Sequence, residues 1–208
     1  MVPLTAANLG RMHRLTAESV FWEVDPLGER YFDTVSELDK SVWLERRARE
    51  QAVAGFSIAE GHSSVGAFAT VLFCPAAEAP GAVRMPTAPA SRDAWLITSM
   101  HLDSTAQHRG WEAVLLDSVI MAATEAGADA LEVFGLRPEG DARTGLSASV
   151  LRNAARIGLV DAAILESAGF QVREDHPVVP RLRLPLPPDR DLLSAREVED
   201  LLAWAPAS

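Results

Sequence analysis

The sequence predicts an α/β fold with a mixed central sheet flanked by helices, and three observations in residues 94–134 carry that prediction. Residues 94–102, AWLITSMHL, are rich in Trp, Leu, Ile and Thr and stop at Asp103-Ser104-Thr105, residue types that favour turns. From Trp111 onward the apolar residues Leu115, Leu116, Val119, Ile120 and Ala123 recur at spacings of three and four, the period of a helix. Gly127 is placed to end that helix at about residue 126 in a left-handed conformation, and Ala130 to Phe134 follows as a short buried strand. Strand, tight polar loop, long helix and strand make a βαβ-type unit with a candidate anion-binding turn.

The flanking segments are assigned in chain order. Arg46-Arg47-Ala48-Arg49 lies on a predicted helix with Glu45 and Glu50, a pattern that suits a solvated face. Val65 to Cys74 is an apolar run too short to span a bilayer and fits a core strand. Residues 75–92 and 136–145 concentrate Pro, Gly, Ala or Asp and predict loops, either plain surface connections or borders of an acceptor pocket. A helical stretch follows at 147–157. Ser194-Ala-Arg-Glu197 has the spacing of a capping box for a C-terminal helix over about 194–204, through Trp204. No internal repeat or interdomain linker interrupts the chain, which reads as a single domain over 1–208 with its core in about 2–187.

Composition narrows the function classes. A chain of 208 residues with 48% hydrophobic and 23% charged residues can bury a sizeable core, as ordinary soluble proteins do. A net charge of −10 disfavours nucleic acid, whose phosphates require a concentrated basic surface, and favours cationic or neutral partners. No apolar segment suggests a membrane span or a secretion signal, so the expected location is the cytoplasm. The single cysteine, Cys74, excludes an internal disulfide and reads as a core residue beside Phe73 rather than a nucleophile.

The loop Gln107-His108-Arg109-Gly110-Trp111-Glu112 resembles the Gln/Arg-x-x-Gly-x-Gly/Ala signature of the GNAT superfamily of N-acyltransferases. The resemblance spans about residues 2–187. Pro3 to Leu9 looks like the first strand running into the first helix, and residues 54–73 look like the hairpin before the cofactor strand. Leu159 to Arg173 looks like the later helix and strand, in which a short helix ends at Gly169-Phe170. Val20 to Pro26, together with His176 to Leu184, is similar to an actinobacterial branch of unknown substrate.

This resemblance implies an acyl-CoA-dependent enzyme that moves an acetyl group from acetyl-CoA to a primary amine of a small-molecule or peptide acceptor. It requires no metal and no covalent intermediate, and it allows a homodimer. The implied cofactor-binding residues are Met100, His101 and Leu102, whose backbone pairs with the pantetheine arm, and Gln107, His108, Arg109, Gly110, Trp111, Glu112 and Ala113, which hold the pyrophosphate. The physics suits that role: unpaired N–H groups at a helix start point one way and carry the positive end of the helix dipole. Gly110 lets a phosphate oxygen approach the backbone, and Arg109 adds a charge-assisted contact.

The chain departs from the family pattern at three positions. Glu112 stands where the second small residue is expected. Leu165 occupies the position, four residues before Gly169, where family members often carry a tyrosine acid, and Leu159 the usual upstream asparagine position; the only tyrosine is Tyr31, in another segment. His101 and Glu23 are the candidate catalytic residues. An imidazole titrates near neutrality, although a strand histidine also serves as a hydrogen-bonded packing residue. Glu23 follows Trp22, and a carboxylate beside an aromatic ring binds an ammonium or gains a raised pKa when desolvated; its other reading is a polar residue leading into the turn at Pro26. His108 and His176 read as loop histidines. Two function classes therefore stand: an N-acetyltransferase, and a GNAT-fold binding or regulatory module that has lost its chemistry.

Overall fold

Strand β4 (Ala94–Leu102) lies at the middle of an eight-stranded sheet, and the computed structural model describes residues 1–24, 37–59, 66–106, 109–140 and 145–203 around it. The other strands are β1 (Val2–Leu4), β2 (Gly55–Ile58), β3 (Ala69–Pro75), β5 (Ala130–Leu136), β6 (Val160–Asp161), β7 (Gln171–Glu174) and β8 (Arg181–Pro185). Their order is β1-β2-β3-β4-β5-β8-β7, with β6 paired to β5 off this path. Only β4–β5 and β5–β6 run parallel; the remaining pairs are antiparallel, so the sheet is mixed as expected.

Helices cover both faces. α3 (Trp111–Glu125) and α5 (Ala162–Ser167) pack with Val71, Phe73, Ile97, Leu131 and Val133 on one side. On the other, α2 (Glu37–Glu50) and α4 (Gly145–Ile157) pack with Leu72, Cys74, Leu96 and Phe134. Val71 and Phe73 face one layer and Leu72 and Cys74 the other, the alternation that a strand buried on both faces requires. Burial pushes the Cys74 thiol pKa up, which keeps it an inert core residue. α1 (Arg14–Glu18) is short, and α6 (Ala195–Leu202) closes the described chain. Among the described residues no helix is long and apolar enough to cross a membrane.

The helix ends follow their sequence signals. Gly127 has φ +79°, Gly127 N–H donates to Thr124 O at 3.0 Å and Ala128 N–H to Ala123 O at 3.0 Å, a Schellman ending. Ser194 and Glu197 form both halves of the capping box that starts α6. Trp204, expected to finish that helix, lies outside the described residues.

Three expectations are corrected. The first strand does not run directly into a helix: α1 starts only at Arg14, where the His13 ring accepts the Leu15 amide at 3.2 Å as its cap. The basic run of α2 is not wholly solvated, because Arg47 is buried and pairs with Glu50 and, at 3.2 Å, with Glu78. A long side chain can carry its charge inward when carboxylates meet it. Residues 75–92 are not a loose surface connection either. They form two 3-10 turns, Ala76–Glu78 and Pro80–Arg84, packed on the chain around Phe21. Arg84 donates to Phe21 O and Val24 O, each at 2.9 Å, and Gly81 sits where any Cβ would stand 1.9 Å from Phe21 O.

Candidate active site

The sheet opens at its one central parallel pair. β4 and β5 are in register only from Ala94–Ala130 to Ile97–Val133, after which β6 takes over beside β5 at Gly135 and Leu136. The freed edge of β4 is partly refilled, since Met100 N–H donates to Gly158 O at 2.9 Å. Asp103 N–H donates to Phe68 O at 2.7 Å on the β3 side, so the antiparallel alternation turns the amides of Met100 and Leu102 to the opposite edge. Leu102 N–H therefore faces the gap. An inner cavity of about 340 Å³ lies there, lined by Met100, His101 and Leu102 on one side and Leu136, Leu159 and Asp161 on the other.

A helix start borders the same space. Gly110 precedes α3 with φ +78°, a conformation that costs other residues energy, and among the described residues no side chain caps the helix. The leading amides of α3 have no intrahelical partner, and Glu112 is the acidic residue of its first turn. Trp111 is fully buried and lines neither cavity. An outer cavity of about 460 Å³ extends along Gly110, Ala113 and Asp117 to Arg190 and Leu193. Glu112 and Ile164 line both cavities and join them. Glu112 therefore borders the groove.

The sequence-predicted residues divide. Met100, His101, Leu102, Gly110, Glu112 and Ala113 are brought to these two cavities, and Arg109 lies half-buried beside them. Gln107 and His108 lie outside the described residues, as do Asp25, Pro26 and Tyr31.

His101 touches the inner cavity while both its ring nitrogens are engaged. Nε2 faces Arg156 O at 3.1 Å and so carries the proton, and Nδ1 accepts from Thr16 Oγ1 at 2.9 Å. Burial lowers its pKa to about 3. The His13 ring stacks parallel to it at 5.7 Å and is itself held, with Nε2 3.0 Å from Asp103 Oδ1. These contacts match the packing role of a strand histidine.

Glu23 is buried away from both cavities in an ion pair with Lys40, itself buried. Leu165, on the inner face of α5, is fully buried in the core, so that position offers no group to the groove. Leu159 lines the inner cavity. His176 is a loop histidine whose Nδ1 accepts the amides of Val178 and Val179 at 3.1 and 3.0 Å.

Two features went unread in the sequence. Asp161 lines the inner cavity and also a third one, of about 540 Å³, together with Arg137, Glu139 and Glu166. Its position before Ala-Ala-Ile-Leu is a helix-cap signal, and Oδ1 does accept the Ala163 amide at 2.8 Å, but nothing local reveals the cavity. The second is the C-terminal tail, which supplies Arg190 and Leu193 to the outer wall.

No family model and no curated protein matches the chain. Solved structures do. A protein from Salmonella typhimurium assigned as an acetyltransferase, solved with its cofactor acetyl-CoA, matches with a TM-score of 0.52 at 15% identity, over 93% of this chain and 96% of that one. An N-acetyltransferase from Staphylococcus aureus Mu50 matches with a TM-score of 0.51 at 13% identity, over 89% and 96%. An acetyltransferase of the GNAT family from Streptococcus pneumoniae gives 0.50 at 11%, over 88% and 96%. At these identities the likeness defines the fold, a mixed sheet flanked by helices in the GNAT arrangement.

Proposed function

We propose that this chain is a single-domain cytoplasmic N-acyltransferase that moves an acetyl group from acetyl-CoA to a primary amine. The observation that supports it best is the continuity between the β4 edge at Leu102, beyond the end of β4–β5 pairing, and the start of α3, joined at Glu112 and Ile164. A strand edge suits an amide-bearing arm, and a helix start suits a pyrophosphate. The Salmonella typhimurium protein of the same fold holds acetyl-CoA, and the resemblance of residues 20–26 and 176–184 to an actinobacterial branch is part of this proposal.

Acetyl-CoA supplies an activated thioester carbonyl. On this reading Leu102 N–H donates to that carbonyl oxygen, where negative charge develops. Asp161 uses one oxygen to cap α5 and the other to receive the ammonium of the acceptor and take its proton. The freed amine attacks the thioester carbon, the C–S bond breaks, and the proton lost by the new amide nitrogen leaves with coenzyme A as its thiol. The acceptor is a small-molecule or peptide amine, drawn toward a third cavity bordered by Glu139, Asp161 and Glu166. Calorimetric titration with acetyl-CoA tests the cofactor half, since a ligand of the folded state also raises its melting temperature. Absence of both heat and shift rejects the proposal.

A second reading, a binding or regulatory module without chemistry, draws on the engaged nitrogens of His101, the Glu23–Lys40 pair and the buried Leu165. Acetyl-CoA binding with no amine-dependent release of free thiol across a panel of primary amines favours that reading.

A further inference from the structure

Beyond β8 the chain reads Leu186-Pro187-Pro188-Asp189-Arg190, and prolines, which lack an amide donor, end the strand there. The tail then crosses to α3, where Asp117 holds it. Arg190 pairs through Nη2 with Asp117 Oδ1, and Asp117 Oδ2 accepts the Leu193 amide at 2.8 Å. The Asp117 side chain is only 8% exposed, so these two donors offset the cost of desolvating its charge. Farther along, Trp111 Nε1 donates to Leu201 O at 3.1 Å, so the tail is tied to α3 at two places. No residue of α6 lines the outer cavity; the tail gives it a side wall, made by Arg190 and Leu193.

The chemistry of that cavity differs from that of the α3 start. Leu116, Ile164, Ala168 and Leu193 make much of its surface apolar, and its charged residues are Glu112, Asp117 and Arg190. Two carboxylates against one guanidinium disfavour a phosphate there. Arg190 nevertheless keeps donors to offer. Of its five N–H groups, Nε serves Ala168 O at 2.8 Å, Nη1 serves Asp191 O at 3.0 Å and Nη2 serves Asp117. One N–H on each terminal nitrogen is left without a partner among the described residues, and the side chain is 30% exposed. Apolar walls with a few placed donors suit an uncharged, planar ring that bears acceptors.

We propose that the tail walls a subsite for the adenine base of coenzyme A, with Arg190 donating to the ring nitrogens, Leu193 packing on the ring and Asp117 positioning both. The proposal rests on the cofactor reading above and extends it. The thioester lies in the inner cavity, the pyrophosphate at the start of α3, and the base in the outer cavity, across the junction at Glu112 and Ile164 from the thioester. The base is thus gripped by a segment that follows β8, outside the strand, loop and helix that hold the arm and the pyrophosphate.

Calorimetry on the full-length protein tests this with three ligands: coenzyme A, dephospho-coenzyme A, which keeps the base but lacks the 3′-phosphate, and pantetheine, which lacks the base and every phosphate. Arg190→Met removes the donors and keeps an apolar stem, whereas Leu193→Ala trims the wall and leaves the Asp117–Arg190 pair in place. Coenzyme A and dephospho-coenzyme A should each bind about tenfold more weakly to Arg190→Met and severalfold more weakly to Leu193→Ala, with pantetheine unchanged. Asp117→Asn, which keeps an acceptor for the Leu193 amide, should weaken the same two ligands by a smaller factor. Loss confined to coenzyme A assigns Arg190 to the 3′-phosphate and overturns the base. Loss of pantetheine in step with the nucleotides overturns a local role for the tail. Unchanged affinity for both nucleotides in Arg190→Met and Leu193→Ala overturns the wall while leaving the cofactor reading intact. Failure of coenzyme A to bind the wild type overturns the cofactor reading and the subsite with it.

Discussion

Thr16 Oγ1 stands 2.9 Å from His101 Nδ1, tying α1 to the strand that borders the inner cavity. With Nε2 on Arg156 O, the imidazole bridges α1, β4 and α4. Burial holds it neutral, with a pKa of about 3 against 6.5 for the free group. Between those values the unfolded chain binds more protons than the folded one, so stability is whole above about pH 6.5 and falls as the pH drops toward 3. At about pH 5 the loss amounts to roughly 2 kcal/mol. Urea melts of wild type and His101→Gln at pH 5 and pH 7 should show the gap between them narrowing at the lower pH. A gap that stays constant, accompanied by lost turnover, would point instead to proton transfer by His101.

Glu23 and Lys40 form a buried ion pair, and among the described residues Glu23 Oε2 has no hydrogen-bond partner. Lys40→Met should destabilise the protein by about 3–5 kcal/mol, because it strands a buried carboxylate. Adding Glu23→Leu to that variant should recover most of the loss. Denaturant midpoints of the two single variants and the double variant measure this. If Glu23→Gln abolished acetyl transfer at unchanged stability, Glu23 would be acting as the base after all.

Glu112 borders both cavities at the first turn of α3, where its charge favours the helix and opposes an anionic ligand. Glu112→Gln should tighten coenzyme A by up to about fivefold, since a charge at a helix terminus is worth roughly 0.3–1 kcal/mol. The melting temperature should fall slightly at the same time. Opposite movements of affinity and stability in paired titration and thermal scans are the expected signature; no change in affinity rejects an inward carboxylate.

Asp161 offers a cleaner test of chemistry. Asparagine caps a helix about as well as aspartate, so Asp161→Asn should leave the melting temperature nearly unchanged. Turnover with any primary amine that the wild type acetylates should drop about 100-fold or more, the range for losing a general base. Thiol release measured beside acetyl-CoA affinity separates the two effects. Retained turnover removes Asp161 from the mechanism.

The fold was legible because its determinants are local. The apolar period of Leu115 to Ala123, the turn at Asp103 and the left-handed Gly127 lie within or beside the elements they specify, and β4 and α3 appear where these signals put them. Gly110 likewise precedes α3 as expected. Long-range partners were not legible. Nothing near Glu23 announces Lys40, whose intervening chain bears no period that sets the two side by side, and nothing near Arg47 announces Glu78. His101 shows the same limit: its strand position is plain, yet the burial that keeps it neutral and its partners Thr16 and Arg156 come from helices far away in sequence. Asp161 reads as a helix cap, and only the end of β4–β5 pairing makes it a cavity wall.

Gly158 has a φ of +73°, and a Cβ there would meet His101 Cε1 and Ser99 Cβ at 2.8 Å and Met100 N at 3.0 Å. Its carbonyl also receives the Met100 amide. The glycine backbone therefore works as a gauge block, fixing how closely the turn into β6 approaches β4. Exchanging Leu136 or Leu159 would reshape the room between the strands without shifting them, whereas any side chain at 158 must move β4 itself. Ligand scope in this protein is thus adjustable at the walls, while the aperture is set by main-chain contact and is closed to gradual change.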